Sequence, residues 1–93
     1  MKHFILVKFK NKNDTELLFD EINDLFKQSL NFPGIHNIAI HKSNSELDNR
    51  YSLMIEMNLS PDGLKLFDSS EIHQQWKELY GDKLDCKAIF DCD

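Results

Sequence analysis

The side chains with the most chemistry to offer are the four histidines, the two cysteines and the tyrosines. His73 stands out among them. It lies in the stretch Ser69–Tyr80, three residues before the only tryptophan, Trp76. Imidazole is the side chain whose ordinary titration range straddles neutral pH, and a neutral ring within reach of a substrate works as a general base, typically for about 10²–10⁴-fold in rate. The same ring beside a buried stripe is equally a packed residue hydrogen-bonded to backbone, and the sequence leaves both readings open. His3 opens an apolar strand, where it faces His73 across a pocket, caps the core at a strand end or reaches an interface between subunits. His36 and His41 fall on opposite faces of a later strand and are expected in solvent. No two histidines share the i,i+4 spacing of a helix or the i,i+2 spacing of a strand, and no carboxylate completes a motif, so no metal site is expected. With three glycines in the chain there is no phosphate-cradling loop, and no cofactor is expected. Tyr51, beside Arg50, either packs at a sheet edge or presents its hydroxyl to a ligand. Tyr80 reads as core with a wet tip.

These residues need a frame. His3–Phe9 is an apolar run too short for a helix and bounded by Lys10-Asn11-Lys12-Asn13, which predicts a strand with His3, Ile5, Val7 and Phe9 on one face and Phe4 and Leu6 on the other. After a cap at Asn13 or Asp14, the residues Leu17, Leu18, Ile22, Leu25, Phe26 and Leu30 recur at helical steps until Asn31-Phe32-Pro33-Gly34. Ile35–Lys42 predicts a second strand, polar Ser43–Arg50 a loop, and Tyr51–Leu59 a third strand with Tyr51, Leu53, Ile55 and Met57 on one face. Ser60-Pro61 has the form of a helix start, with serine as cap and proline at the first helical position. Asp68-Ser69-Ser70 breaks or bends that helix. Ser69–Tyr80 then places Ile72, Trp76 and Leu79/Tyr80 on one stripe with His73 at its rim. Leu84–Cys92 is a fourth strand, with Cys86, Ala88 and Phe90 opposite Lys87, Ile89 and Asp91.

The order β-α-β-β-α-β predicts an α+β, ferredoxin-like chain of one domain over residues 1–93, with four antiparallel strands and both helical segments on one face. If Phe4 and Leu6 meet the helices, then His3/Ile5/Val7/Phe9 and Leu53/Ile55/Met57 point outward, a patch that soluble monomers rarely carry. A second subunit laid sheet to sheet would cover it, so a homodimer is expected. Hydrophobic residues make up 41% of a short chain, a lean core that an interface would supplement. The formal net charge of −5 and the scatter of the basic residues argue against nucleic acid and anionic membranes as partners. Phe4-Ile5-Leu6-Val7 stops at Lys8, too short for a signal peptide or a span. Cys86 and Cys92 would sit about 20 Å apart along a strand, whereas a disulfide needs about 4.4–6.8 Å. Free thiols fit a reducing, cytoplasmic compartment.

Several short pieces, in order, resemble the stress-responsive dimeric α/β-barrel (Dabb) family. Lys2-His3-Phe4-Ile5-Leu6-Val7-Lys8-Phe9-Lys10 is similar to its opening strand, Phe32-Pro33-Gly34-Ile35 to its Pro-Gly turn, and Arg50-Tyr51-Ser52 to its entry to strand three. Phe67 six residues before His73 resembles its Tyr-(five residues)-His pattern, and Ile89-Phe90-Asp91 its Phe-Asp ending. The resemblance implies a homodimeric barrel with a small-molecule cavity between sheet and helices, lined by His3; Ile5, Val7, Tyr51, Leu53, Phe67 and Trp76 are the further residues expected at that pocket. It implies His73 as general base, in the manner of the family's polyketide cyclases. Phe67 stands where those cyclases carry a tyrosine, and Leu53 where they carry another pocket histidine. The expected function is therefore binding of a small apolar or aromatic molecule, with cyclase- or lyase-like proton transfer on His73. The alternatives are a ligand-binding or stress-response module without turnover, and a cofactor-free oxygenase of the same architecture.

Overall fold

In the computed structural model, which describes residues 1–93, the chain runs β1 (Lys2–Phe9), α1 (Asp14–Lys27), β2 (Ile35–Lys42), β3 (Leu53–Leu59), α2 (Pro61–Asp68), α3 (Glu71–Tyr80) and β4 (Leu84–Cys92). Short 3₁₀ turns at Gln28–Asn31 and Gly81–Lys83 follow α1 and α3. The strands form one antiparallel sheet in the order β2-β3-β1-β4, with β1 and β3 central. This is the α+β, ferredoxin-like arrangement. Each split β-α-β unit leaves a gap that the other unit's strand fills.

Alternation along β1 is clean, and its sense is the reverse of the expected one. His3, Ile5, Val7 and Phe9 are buried, as are Leu53, Ile55, Met57 and Leu59 of β3, whereas Phe4 and Leu6 are half-exposed. The helices therefore cover the His3/Ile5/Val7/Phe9 face, and Phe4 and Leu6 look out from the open one. A period of two tells which residues share a face and nothing about which face is covered. Volume decides that: the covered set brings β-branched and aromatic bulk that interlocks with Ile22, Leu25 and Phe26 of α1, Phe67 of α2, and Ile72 and Trp76 of α3. Burying each of those side chains is worth about 1.5–3 kcal/mol.

The helix starts follow local chemistry. Ser60 is extended at φ −86°, its Oγ accepts from Gly63 N at 3.0 Å, and Pro61 takes the first helical position. Ser70 caps α3 in the same way, accepting from His73 N at 3.2 Å. Asn13 stands before α1 without a side-chain cap bond. The Pro-Gly turn has a structural duty: Gly34 sits at φ +85°, and its carbonyl accepts from Ser60 N at 2.8 Å. A Cβ on Gly63 would lie 2.4 Å from the Gly34 oxygen, so two bare backbones let α2 start directly against this turn.

Three expected stripe residues lie outside. Leu17 is 72% exposed and Leu30 41%, and on α3 Leu79 is 55% exposed while Tyr80 turns inward. Two candidates adjacent on a stripe cannot both face the sheet, and the aromatic ring buries more apolar area. Strand three begins at Leu53, two residues later than expected. Ser52 is held by other bonds, its N–H donating to the Val7 carbonyl at 2.7 Å and its Oγ accepting from Phe9 N at 3.1 Å.

Candidate functional site

His73 is the third residue of α3, placed there by the Ser70 cap. Its Nδ1 lies 3.0 Å from the carbonyl oxygen of Asp68. A carbonyl only accepts, so Nδ1 carries the hydrogen and the neutral ring keeps its lone pair on Nε2. The half-buried imidazole sits against the Phe67 ring, centroids 5.2 Å apart and planes tilted by 53°. Phe67 stacks on Phe26 at 5.7 Å, and Phe26 meets Trp76 edge-on at 5.1 Å. His73 thus stands at the rim of a closed aromatic cluster, with one nitrogen fixed and the other free to take a proton. Phe67 brings no hydroxyl to orient a carbonyl.

Tyr80 ends the same cluster, 5.4 Å from Trp76, and its hydroxyl donates to Glu21 Oε1 on α1 at 2.8 Å. Burial, reinforced by the Glu21 carboxylate, pushes its ionisation well above the ordinary tyrosine value. This phenol is a donor locked in structure.

His3 is buried at the other end of the covered face. Its Nδ1 is 2.5 Å from Asp91 Oδ1, the residue directly opposite it on β4. A carboxylate that holds Nδ1 again leaves Nε2 as the free position. His3 and His73 share no hydrogen bond or ring contact, and their partners come from different elements. Sequence reasoning did not single out Asp91 as a partner, because its pairing with His3 is a matter of strand register across 88 positions. His36 and His41 are both exposed, His41 3.2 Å from Glu56 Oε1 on the open face.

The residues expected to line a cavity fall into two groups. Ile5, Val7, Leu53, Phe67 and Trp76 are packed into the core with at most 3% exposure. Tyr51 lies elsewhere, on a groove of about 540 Å³ between the Ser43–Ser52 loop, the end of β1 and the first turn of α1. Lys8, Lys12 and Arg50 share that groove. No three of the His, Cys, Asp and Glu side chains gather as a metal site would require.

No protein-family model matches the sequence, and no curated protein matches it. Solved structures do. A dimeric protein of unknown function with a ferredoxin-like fold from Bacteroides fragilis superposes with a TM-score of 0.81 at 11% identity, over 99% of this chain and 93% of that one. A Dabb family protein with a ferredoxin-like fold from Mesorhizobium loti gives 0.73 at 12% identity, over 99% and 93%. A protein described as a putative antibiotic biosynthesis monooxygenase from Nitrosomonas europaea gives 0.73 at 14% identity, over 99% and 98%. The class is thus the ferredoxin-like α+β fold as it occurs in Dabb proteins, and several of the proteins that share it are described as dimeric. No helix is long and apolar enough to cross a membrane.

Proposed function

We propose that this chain is a homodimeric, Dabb-like protein that binds a small apolar or aromatic molecule and exchanges a proton with it through His73. The observation that carries the reading is the tautomer: with Nδ1 donating to the Asp68 carbonyl, the half-buried ring beside Phe67 keeps Nε2 as its basic position. Dimerisation would lay the open sheet faces together and cover Phe4, Leu6 and Phe90. The apolar character of that stripe and the dimeric description of proteins with this fold support it. The free thiols support a reducing, cytoplasmic setting.

A second reading, ligand binding without turnover, draws support from Phe67. The cyclase resemblance asks for a hydroxyl at that position, and a phenyl ring fills it. Both readings are tested together. Wild-type protein and His73→Ala are incubated with aromatic and poly-β-keto compounds, with binding read by thermal shift and products by mass spectrometry. Turnover that falls by about 10² or more in a folded His73→Ala variant supports proton transfer. Binding retained in both proteins without product selects the second reading. No binding, together with a mass of 11.0 kDa by light scattering, overturns both.

A further inference from the structure

Away from His73, the Ser43–Ser52 loop folds back beside the end of β1 and hollows the surface into the 540 Å³ groove; a second hollow of about 210 Å³ shares Lys8, Arg50 and Tyr51 with it. The charges around these hollows are unevenly matched. The Asp48 carboxylate is taken by Lys12 at 2.6 Å, a contact that holds its carboxyl below the usual range. Glu16 is taken by Lys42 at 3.1 Å. Glu46 is the lining carboxylate without an ion-pair partner, whereas Lys8 and Arg50 are both cations without one. Lys8 spends one donor on the Asp48 carbonyl and Arg50 spends one on Asn49 Oδ1 at 2.6 Å. Lysine has three such donors and arginine five, and the Tyr51 hydroxyl is bonded to nothing in the protein. In a chain of net charge −5, this corner keeps unspent cationic donors beside an aromatic ring.

We propose that this groove is a binding site for a small organic anion, its carboxylate or phosphate head held by Arg50, Lys8 and the Tyr51 hydroxyl, its body lying against Tyr51 and Leu47. The guanidinium fork matches either head with paired hydrogen bonds, and the lysine adds charge. The 43–52 loop owes its position to Lys8 and Lys12, whose ammonium groups hold the Asp48 and Glu46 carbonyls, so the site is formed before a ligand arrives. The groove is open, so binding weakens as salt rises. This site stands apart from His73 and does not depend on its role.

The test is a titration of the ¹⁵N-labelled full chain by two-dimensional NMR at low salt, with benzoate, phenyl phosphate and, as the neutral counterpart, benzyl alcohol. Saturable shifts at Lys8 and across Ser43–Ser52 with either anion, absent with the alcohol, are expected; the tighter anion identifies the head. Arg50→Gln and Tyr51→Phe each weaken the binding by roughly fivefold or more, as the loss of a charge-assisted hydrogen bond requires. Both side chains are exposed enough for the variants to keep the fold. His73→Ala binds as the wild type does, which separates failure here from failure of the proton-transfer reading. No saturable shift with either anion, or shifts unchanged in Arg50→Gln, overturns the proposal.

Discussion

The two faces of the sheet are built from the same strands and behave as different materials. On the covered face Ile5, Val7, Leu53, Ile55 and Met57 are at most 3% exposed and interlock with the helices. On the open face Phe4 and Phe90 form a tilted pair at 6.3 Å, with Leu6 and Met54 half-exposed and Lys2, Glu56 and His41 alongside in a small charged network. One face is closed off from solvent by the helices packed on it. The other is an apolar stripe bordered by charge, the composition that the proposed sheet-to-sheet dimer would cover. The edge strand β4 has no buried residue on either face, although its Asp91 reaches the covered side to hold His3.

Substitutions sharpen that contrast. The largest effect belongs to Phe67→Ala, which empties a fully buried ring between Phe26 and His73 and should cost about 3–5 kcal/mol in denaturant unfolding. Phe90→Glu on the open face should change monomer unfolding little. It should instead raise the dissociation constant of the proposed dimer more than tenfold by light scattering, since about 1.5–3 kcal/mol of burial would be lost per protomer. If it destabilises the monomer as Phe67→Ala does, the two faces are not distinct in the way described. Ser60→Ala, which removes the cap at the start of α2, should cost about 1 kcal/mol.

The smallest effect is confined to alkaline pH. Tyr80 ionises above its ordinary value of 10.0 when folded, so beyond that pH the folded chain retains a proton that the unfolded chain releases. Stability is therefore full below about pH 10 and falls as pH rises past it. Tyr80→Phe should remove this alkaline decline while shifting the neutral-pH midpoint only modestly. A wild-type curve that is flat across that range would deny the burial assigned to the phenol.

Much of this was legible along the chain. The element order, the Ser60-Pro61 start and the Asp68-Ser69-Ser70 break are written in nearest-neighbour chemistry: a serine that caps, a proline that cannot donate, a pattern of period two or near four. Leu17, Leu30 and Leu79 lie outside because an apolar residue at the right step still needs something opposite it: Leu30 falls in the 3₁₀ turn beyond α1, and Tyr80 takes the inward place beside Leu79. The candidate site was legible only in its residue types. His73 could be singled out, yet its tautomer depends on the Asp68 carbonyl, presented where α2 breaks. His3 could be placed on a face, and its carboxylate partner arrives from the far end of the chain.

The sequence alone determined which residues share a face, the order of the elements with the serine caps that start α2 and α3, and that imidazoles stand near the ends of an apolar frame. These are local properties, settled within a few residues by backbone geometry and side-chain preference. Only the tertiary structure decided which face the helices cover, which nitrogen of His73 is free, that Asp91 holds His3, and that Lys8, Arg50 and Tyr51 meet at one groove. Those are decided by volume filling and strand register between distant segments, and no short stretch of chain carries that information.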